Sequence, residues 1–431
     1  MSEIKEPDKN VKKENIDETK KDTNEINDSI EQTLLAELQK DIYMDIEEYT
    51  KDLVQKSKPV EYFDSGIDVL NAMYDGGFPI GRIHQFVGNT GSFKSTLAGN
   101  IAAGFQNYFK QKGELYYVYY LDSENTTTEK RLAQLGVRNP KVTPFNIREV
   151  ENIFQVISRI GDFKAEKIKV LEEKITELRK GSQKKEILQQ IDAYKELIEK
   201  VNRMQFLIIW DSLANTITKK DIEAKGDYDK TIGKKQKLLA HLLPLYVDEL
   251  TKHNITMIII NQLRDDISMD MFNQRAANLK FLQKDKVVPG GTAVTYNSAS
   301  LLDLKVSSLI KEQEYGFSGL KVYINAAKNK FYTPNLNLPF IIKYTTGVSN
   351  FWTNWLMLDE NTVTIDGKPT KLLKTGPYNS IGNYSKKFRK KEAEELYQTD
   401  PEFKAEYDRC VKLVINEWIE RNRMIDDEDI I

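Results

Sequence analysis

The octet Gly88-Asn89-Thr90-Gly91-Ser92-Phe93-Lys94-Ser95 joins a short apolar run, Arg82 to Val87, to a helical stretch opening at Thr96. That order of strand, glycine-containing turn and helix is what a phosphate-binding loop requires. Backbone N–H groups of the turn surround the phosphates, the helix start favours negative charge, and an ammonium meets the β and γ oxygens. Lys94 fills the ammonium role and the Ser95 hydroxyl the Mg²⁺ role, so a nucleotide with Mg²⁺ is expected. Phe93 stands where such loops usually carry glycine, and its side chain must point away from the nucleotide.

A phosphate loop also needs carboxylates at the ends of neighbouring strands. Phe206 to Trp210 is continuously apolar and ends at Asp211-Ser212, which puts a second Mg²⁺ ligand beside Ser95. The run Tyr116 to Leu121 ends at Asp122-Ser123-Glu124, and Glu124 is the expected general base for an attacking water. Ile255 to Ile260 delivers Asn261-Gln262 to the same edge, where the Gln262 amide could bond the γ-phosphate and register its loss. These residues need a sheet to bring them together. Further β-rich runs occur at Leu301–Ser307, Leu320–Ala326 and Phe340–Tyr344, and helical stretches separate the early ones. The expected fold is α/β with a mostly parallel central sheet.

Length and composition fit this picture. The 431 residues are 40% hydrophobic and 30% charged, enough for a large core with appended modules. A net charge of -2 gives no overall pull toward nucleic acid or anionic membrane, so any such site is a local patch. The single cysteine, Cys410, excludes a disulfide framework, and three histidines make no zinc cluster. No run of about 18 apolar residues occurs, and the charged N-terminus does not read as a signal peptide. A cytoplasmic protein, away from membranes, is expected.

Outside the core, residues 1–28 read as a disordered tail, since positions 1–30 hold six Lys and nine Asp or Glu. Residues 29–59 carry apolar side chains at helical spacing and read as one amphipathic helix. Between 161 and 203, Ile168, Leu171, Ile175 and Leu178 and then Ile187, Ile191, Tyr194, Ile198 and Val201 form two apolar stripes around Gly181-Ser182, an inserted helical hairpin. Residues 346–424 read as a small α+β domain, and 425–431 as an acidic tail.

Taken together these residues resemble the RecA family of recombinases from about Glu61 to Trp418. Ser65-Gly66-Ile67-Asp68-Val69-Leu70 and Gly76-Gly77-Phe78-Pro79-Ile80-Gly81-Arg82-Ile83 are similar to that family's lead-in to the phosphate loop. Asn261-Gln262-Leu263-Arg264 and Pro289-Gly290-Gly291-Thr292-Ala293 resemble the boundaries of its second DNA-binding loop, and Lys219–Gly233 its first. Phe before the Lys is similar to phage recombinases of the UvsX type. The resemblance implies a RecA-type core spanning 60–345, with 29–59 as a polymerisation helix. Lys328-Asn329-Lys330 resembles the family's Lys-Asn-Lys, which implies that Lys328 and Lys330 reach the ATP of a neighbouring subunit. It further implies DNA contact through the stretch 264–289, where Arg264, Arg275, Lys280, Lys284 and Lys286 alternate with Met271, Phe272 and Phe281. Basic groups track phosphates and apolar ones stack on bases of single strands. The implied activity is ATP-dependent filament formation on single-stranded DNA with pairing of double-stranded DNA, in company with single-strand-binding and mediator proteins. The alternatives are a ring-forming helicase or translocase of the same fold and a non-hydrolysing, ATP-gated DNA scaffold.

Overall fold

The computed structural model describes residues 60–138, 142–145, 148–180, 185–224, 233–265, 281–283 and 286–423, with backbone only at 142–145. The expected tail, the N-terminal helix, the Gly181-Ser182 turn and the acidic terminus lie outside the described residues.

Runs without polar interruption become strands covered on two sides. In chain order the central strands are β1 (Ile83–Gly88), β2 (Tyr116–Asp122), β3 (Val142–Phe145), β4 (Gln205–Asp211), β5 (Ile255–Ile260), β6 (Ser300–Ile310), β7 (Gly319–Asn329), β8 (Asn337–Lys343) and β9 (Gly347–Val348). They form one sheet in the order β9-β8-β7-β6-β1-β5-β4-β2-β3. The six strands from β6 to β3 are parallel, and β7, β8 and β9 continue the sheet antiparallel. Every residue of β4 and β5 is buried. The expected mostly parallel α/β sheet is therefore observed.

Register decides which residues meet. Asp122 lies opposite Asp211, Asp211 opposite Ile260, Ile260 opposite Phe86, and Gly88 opposite Leu304. The carboxyl ends of β2, β4, β5 and β1 thus share one edge, where ligands of open parallel sheets bind.

Helix α1 (Lys94–Gln111) follows β1, α2 (Val150–Arg179) and α3 (Lys185–Arg203) precede β4, and α4 (Lys234–Lys252) precedes β5. The hairpin begins earlier than its expected start at 161. α2 runs unbroken through Gly161, and its first half buries Val150, Ile153, Phe154, Ile157 and Ile160 against the sheet. Gly161 is present for close approach: a Cβ there would lie 2.9 Å from the His253 ring. At the hairpin base the buried Lys164 ammonium donates to the carbonyls of Asn202, Met204 and His253. Beyond it, Ile175 and Ile191 of the two stripes are buried.

The segment after Tyr344 shares the main core. Trp352 and Trp355 on α5 (Asn350–Glu360) and Phe403, Tyr407 and Trp418 on α6 (Pro401–Asn422) belong to the cluster that includes Leu304, Ile324 and Phe340 of the sheet. Asp400 caps α6 by accepting from the N–H groups of Glu402 and Phe403, with Pro401 at the first helical position. Among the described residues no helix is long and apolar enough to cross a membrane.

Candidate nucleotide-binding site

The turn between β1 and α1 is built on left-handed backbone. Gly91 has φ 75° and Phe93 φ 67°. At Gly88 a Cβ would strike Leu304 O and Ser92 Oγ at 2.5 Å, so only glycine fits between strand and loop. Phe93 accepts an unfavourable conformation as the residue before α1, and its ring turns to the core side, 6.1 Å from the Tyr344 ring. The expectation that its side chain leaves the nucleotide face open agrees with this placement. Arg131 donates to the carbonyls of Tyr344 and Thr345 and, at 3.4 Å, to Thr96 Oγ1, tying that turn to the mouth of the loop.

Lys94 is buried, and its ammonium donates to Gly88 O at 3.0 Å, Asn89 O at 2.9 Å and Ser92 Oγ at 3.2 Å. Burial lowers its pKa to about 8, opposed by the charges of Asp211, Glu124 and Asp303. A cation held only by neutral oxygens in a dry loop has much to gain from phosphate oxygens. Thr90 to Thr96, Glu124, Asp211, Ser212, Ile260 and Gln262 line a cavity of about 270 Å³ over this loop.

Asp211 sits on its floor, 6% exposed. Burial raises its pKa, and hydrogen bonds from Ser95 and from the Tyr120 hydroxyl, at 2.7 Å, hold it down. Ser95 and Asp211 are thus adjacent, as a Mg²⁺ site needs. Among the described residues no cluster of three or more His, Cys, Asp or Glu could hold a metal alone. This donor set fits Mg²⁺, which keeps waters and takes phosphate oxygens to complete its shell.

Glu124 is positioned by Asp122. The buried Asp122 carboxylate accepts four backbone N–H groups, from Glu124, Asn125, Thr126 and Thr127, at 2.7–2.9 Å. It is wholly occupied in folding the turn that presents Glu124. Glu124 Oε1 in turn accepts from Ser212 Oγ at 2.9 Å, Asn215 Nδ2 at 2.6 Å and Gln262 Nε2 at 3.4 Å. The residues expected as base and switch are therefore in contact.

A family model for the RecA N-terminal domain matches residues 175–349. Among curated relatives, Protein RecA of Malacoplasma penetrans is 26% identical over 62% of this chain and 64% of its own length. Protein RecA of Mycoplasma genitalium is 24% identical over 65% and 66%, and that of Clostridium botulinum (strain Alaska E43) 26% over 78% and 76%. The chain is thus similar to RecA proteins at about a quarter identity, and the family model covers 175–349. It spans about two thirds of the length of the first two relatives.

Lys328 and Lys330 lie at the other end of the strands from the turn 88–95. Lys328 is opposite Leu301, near the start of β6, whereas Gly88 is opposite Leu304. The Lys328 ammonium donates to Thr295 O and Tyr296 O, while burial and then Lys330 lower its pKa to about 8. Of the expected DNA-contacting residues, Met271, Phe272, Arg275, Lys280 and Lys284 lie outside the described residues. Arg264 is exposed and pairs in a short ladder with Val287. Lys286 makes a 2.6 Å ion pair with Asp265. Phe281, grouped in the sequence with base-stacking side chains, packs instead beside Val87, Leu263, Leu301 and Ala327. In the other loop, Lys219–Glu223 is a helical turn closed by a Thr218–Asp221 capping box, and 225–232 lie outside the described residues.

Tyr120, Ser212 and Asn215 had no role in the sequence reading. Tyr120 could have been found, since it stands two residues before Asp122 on the same strand face. Ser212 and Asn215 depend on how the chain turns after β4, which spacing alone does not show.

Proposed function

We propose that this protein is an ATP-dependent DNA recombinase that assembles as a filament on single-stranded DNA and promotes pairing and strand exchange with double-stranded DNA. One observation supports this reading: Gln262, two residues before the 264–289 stretch, donates to Glu124, the proposed general base. Loss of the γ-phosphate at that carboxylate is thereby linked to the segment expected to touch DNA.

In this reading Lys94 releases the carbonyls of Gly88 and Asn89 and turns to the β and γ oxygens, while the loop N–H groups of 88–95 and Thr96 hold the rest of the triphosphate. Ser95 and Asp211 would hold Mg²⁺, which when bound neutralises developing charge between the β and γ phosphates. Glu124 takes the proton of the attacking water, the bond from γ-phosphorus to the β–γ bridging oxygen breaks, and ADP and phosphate leave. Lys328 and Lys330 sit across the sheet from their own loop, which favours action on a neighbour's nucleotide. Arg264, Met271, Phe272, Arg275, Lys280, Lys284 and Lys286 form the proposed DNA contact. Single-strand-binding and mediator proteins of a bacterial or phage-infected cytoplasm are the expected company.

The test is phosphate release with and without poly-dT, together with negative-stain images in a non-hydrolysable ATP analogue. Open helical filaments and DNA-stimulated release are expected. Closed six-fold rings would move the protein to the helicase class, and binding without phosphate release would make it a scaffold.

A further inference from the structure

The stretch from Arg264 to Pro289 is fastened at two places beside the strand that carries the phosphate loop. Ahead of its first residue, Leu263 N donates to Gly88 O at 3.1 Å and Asn261 N to Phe86 O at 2.8 Å. Toward its end, Phe281, Leu282 and Val288 pack against Val87, Leu263, Leu301 and Ala327. Asn261 Nδ2 also donates to Pro289 O at 2.7 Å.

Asp303 makes the polar part of the second fastening. It lies on β6 opposite Val87, one residue before Gly88, and is 3% exposed. Gln283 supplies both of its recorded hydrogen bonds: Nε2 donates to Oδ1 at 2.6 Å and the backbone N to Oδ2 at 3.2 Å. Asn325, opposite Asp303 on β7, donates from Nδ2 to Phe281 O at 2.8 Å. A carboxylate withdrawn from water is costly unless hydrogen-bonded, so this site favours the docked position of Gln283 strongly over any other. The same carboxylate attracts the Lys94 ammonium. Nothing in the hydrolytic chemistry requires an acid at this position.

We propose that Asp303 is a positioning residue for DNA-stimulated ATP hydrolysis: by holding Gln283 it fixes the end of the 264–289 stretch to the strand beside the phosphate loop. The stretch then communicates with the nucleotide at both ends, through Gln262 at one and Asp303 at the other. The inference rests on the reading of 264–289 as the DNA contact.

The experiment measures phosphate release by the full chain with and without poly-dT, poly-dT affinity by fluorescence anisotropy, and melting temperature. The proteins are wild type, Gln283→Ala, Gln283→Lys and the double variant Asp303→Asn with Gln283→Lys. A hydrogen bond to a buried charge is strong enough that Gln283→Ala should cut the ratio of stimulated to unstimulated release by roughly tenfold. Gln283→Lys should restore most of it, because an ammonium still donates to the Asp303 carboxylate. The double variant should lose it again, which separates the latch from any gain by added positive charge on DNA. A wild-type ratio in Gln283→Ala, or no recovery in Gln283→Lys, would overturn the inference alone. Absence of DNA stimulation in the wild type would overturn the DNA-contact reading and the inference with it.

Discussion

Replacing Asp122 by Asn separates a residue that builds the site from Glu124, the residue proposed to do its chemistry. Asp122 Oδ1 accepts the N–H groups of Glu124 and Asn125, and Oδ2 those of Thr126 and Thr127. Asparagine keeps one oxygen and turns the other position into a donor, so two N–H groups lose their acceptor and face an NH₂ group. Each hydrogen bond to a charged partner contributes about 1.5–3 kcal/mol, which gives a loss of roughly 3–6 kcal/mol for this turn. At 1.36 kcal/mol per decade, amide hydrogen exchange at the two released positions should accelerate about 10²–10⁴-fold if local opening governs it. Exchange is the suitable assay because a single unfolding free energy is poorly defined for a chain of this size. Phosphate release should fall as well, since Glu124 would no longer be held against Ser212 and Asn215. Protection unchanged within about threefold, with release reduced, would refute the reasoning and give Asp122 a direct part in the chemistry.

Glu124→Gln should leave that protection intact, because the amide oxygen can still accept from Ser212, Asn215 and Gln262, while phosphate release falls about 10²–10⁴-fold. ATP affinity by a fluorescent analogue and filament lifetime by light scattering report binding without turnover; unchanged release would reassign the base. Tyr120→Phe removes the hydroxyl that orients Asp211 and should raise the Mg²⁺ concentration for half-maximal release about tenfold or more. An unaltered Mg²⁺ titration would show the hydroxyl to be structural only. Lys328→Ala should reduce DNA-stimulated release roughly 10²–10³-fold with ATP affinity retained, and mixing it with Lys94→Ala subunits should recover part of the activity. No complementation at any mixing ratio would count against a shared interface site.

The sheet was legible because its central strands are so apolar: Ile255–Ile260 and Phe206–Trp210 have no other soluble use than a strand covered on both faces. The convergence of the turn 88–95, Asp211, Glu124 and Gln262 on one cavity was legible because each follows or ends one of the parallel strands, and parallel register then places them together. The hairpin boundary was misjudged for a physical reason. A glycine costs a helix interior, yet the His253 ring occupies the space a side chain at Gly161 would need, and α2 runs through it. The segment after Tyr344 was read as a small α+β domain, and no local pattern reveals that Trp352 and Trp418 join the sheet's own core. Asp122 shows the same limit within the site. Its type and position fit a metal ligand, general acid or cap equally well, and only the course of the next five residues assigns it.

The contacts that spacing could not reveal are the ones that join the ends of the site. Gln262 and Glu124 are 138 positions apart, and Lys94 opens α1 whereas Asp303 lies on β6, yet the register of β6, β1, β5 and β4 brings each pair to one edge. That register also keeps Lys328 away from its own loop, since β7 runs antiparallel and ends where β6 begins. A sheet of this topology can present the loop at one edge and the paired lysines at the other, so subunits stacked head to tail bring unlike edges together. Such heterologous contact closes into a ring only if the rotation between subunits permits it, and otherwise continues as a helix. For the proposed assembly, the choice between filament and ring therefore rests on the angle set between subunits. That angle is what imaging of the assembled protein measures.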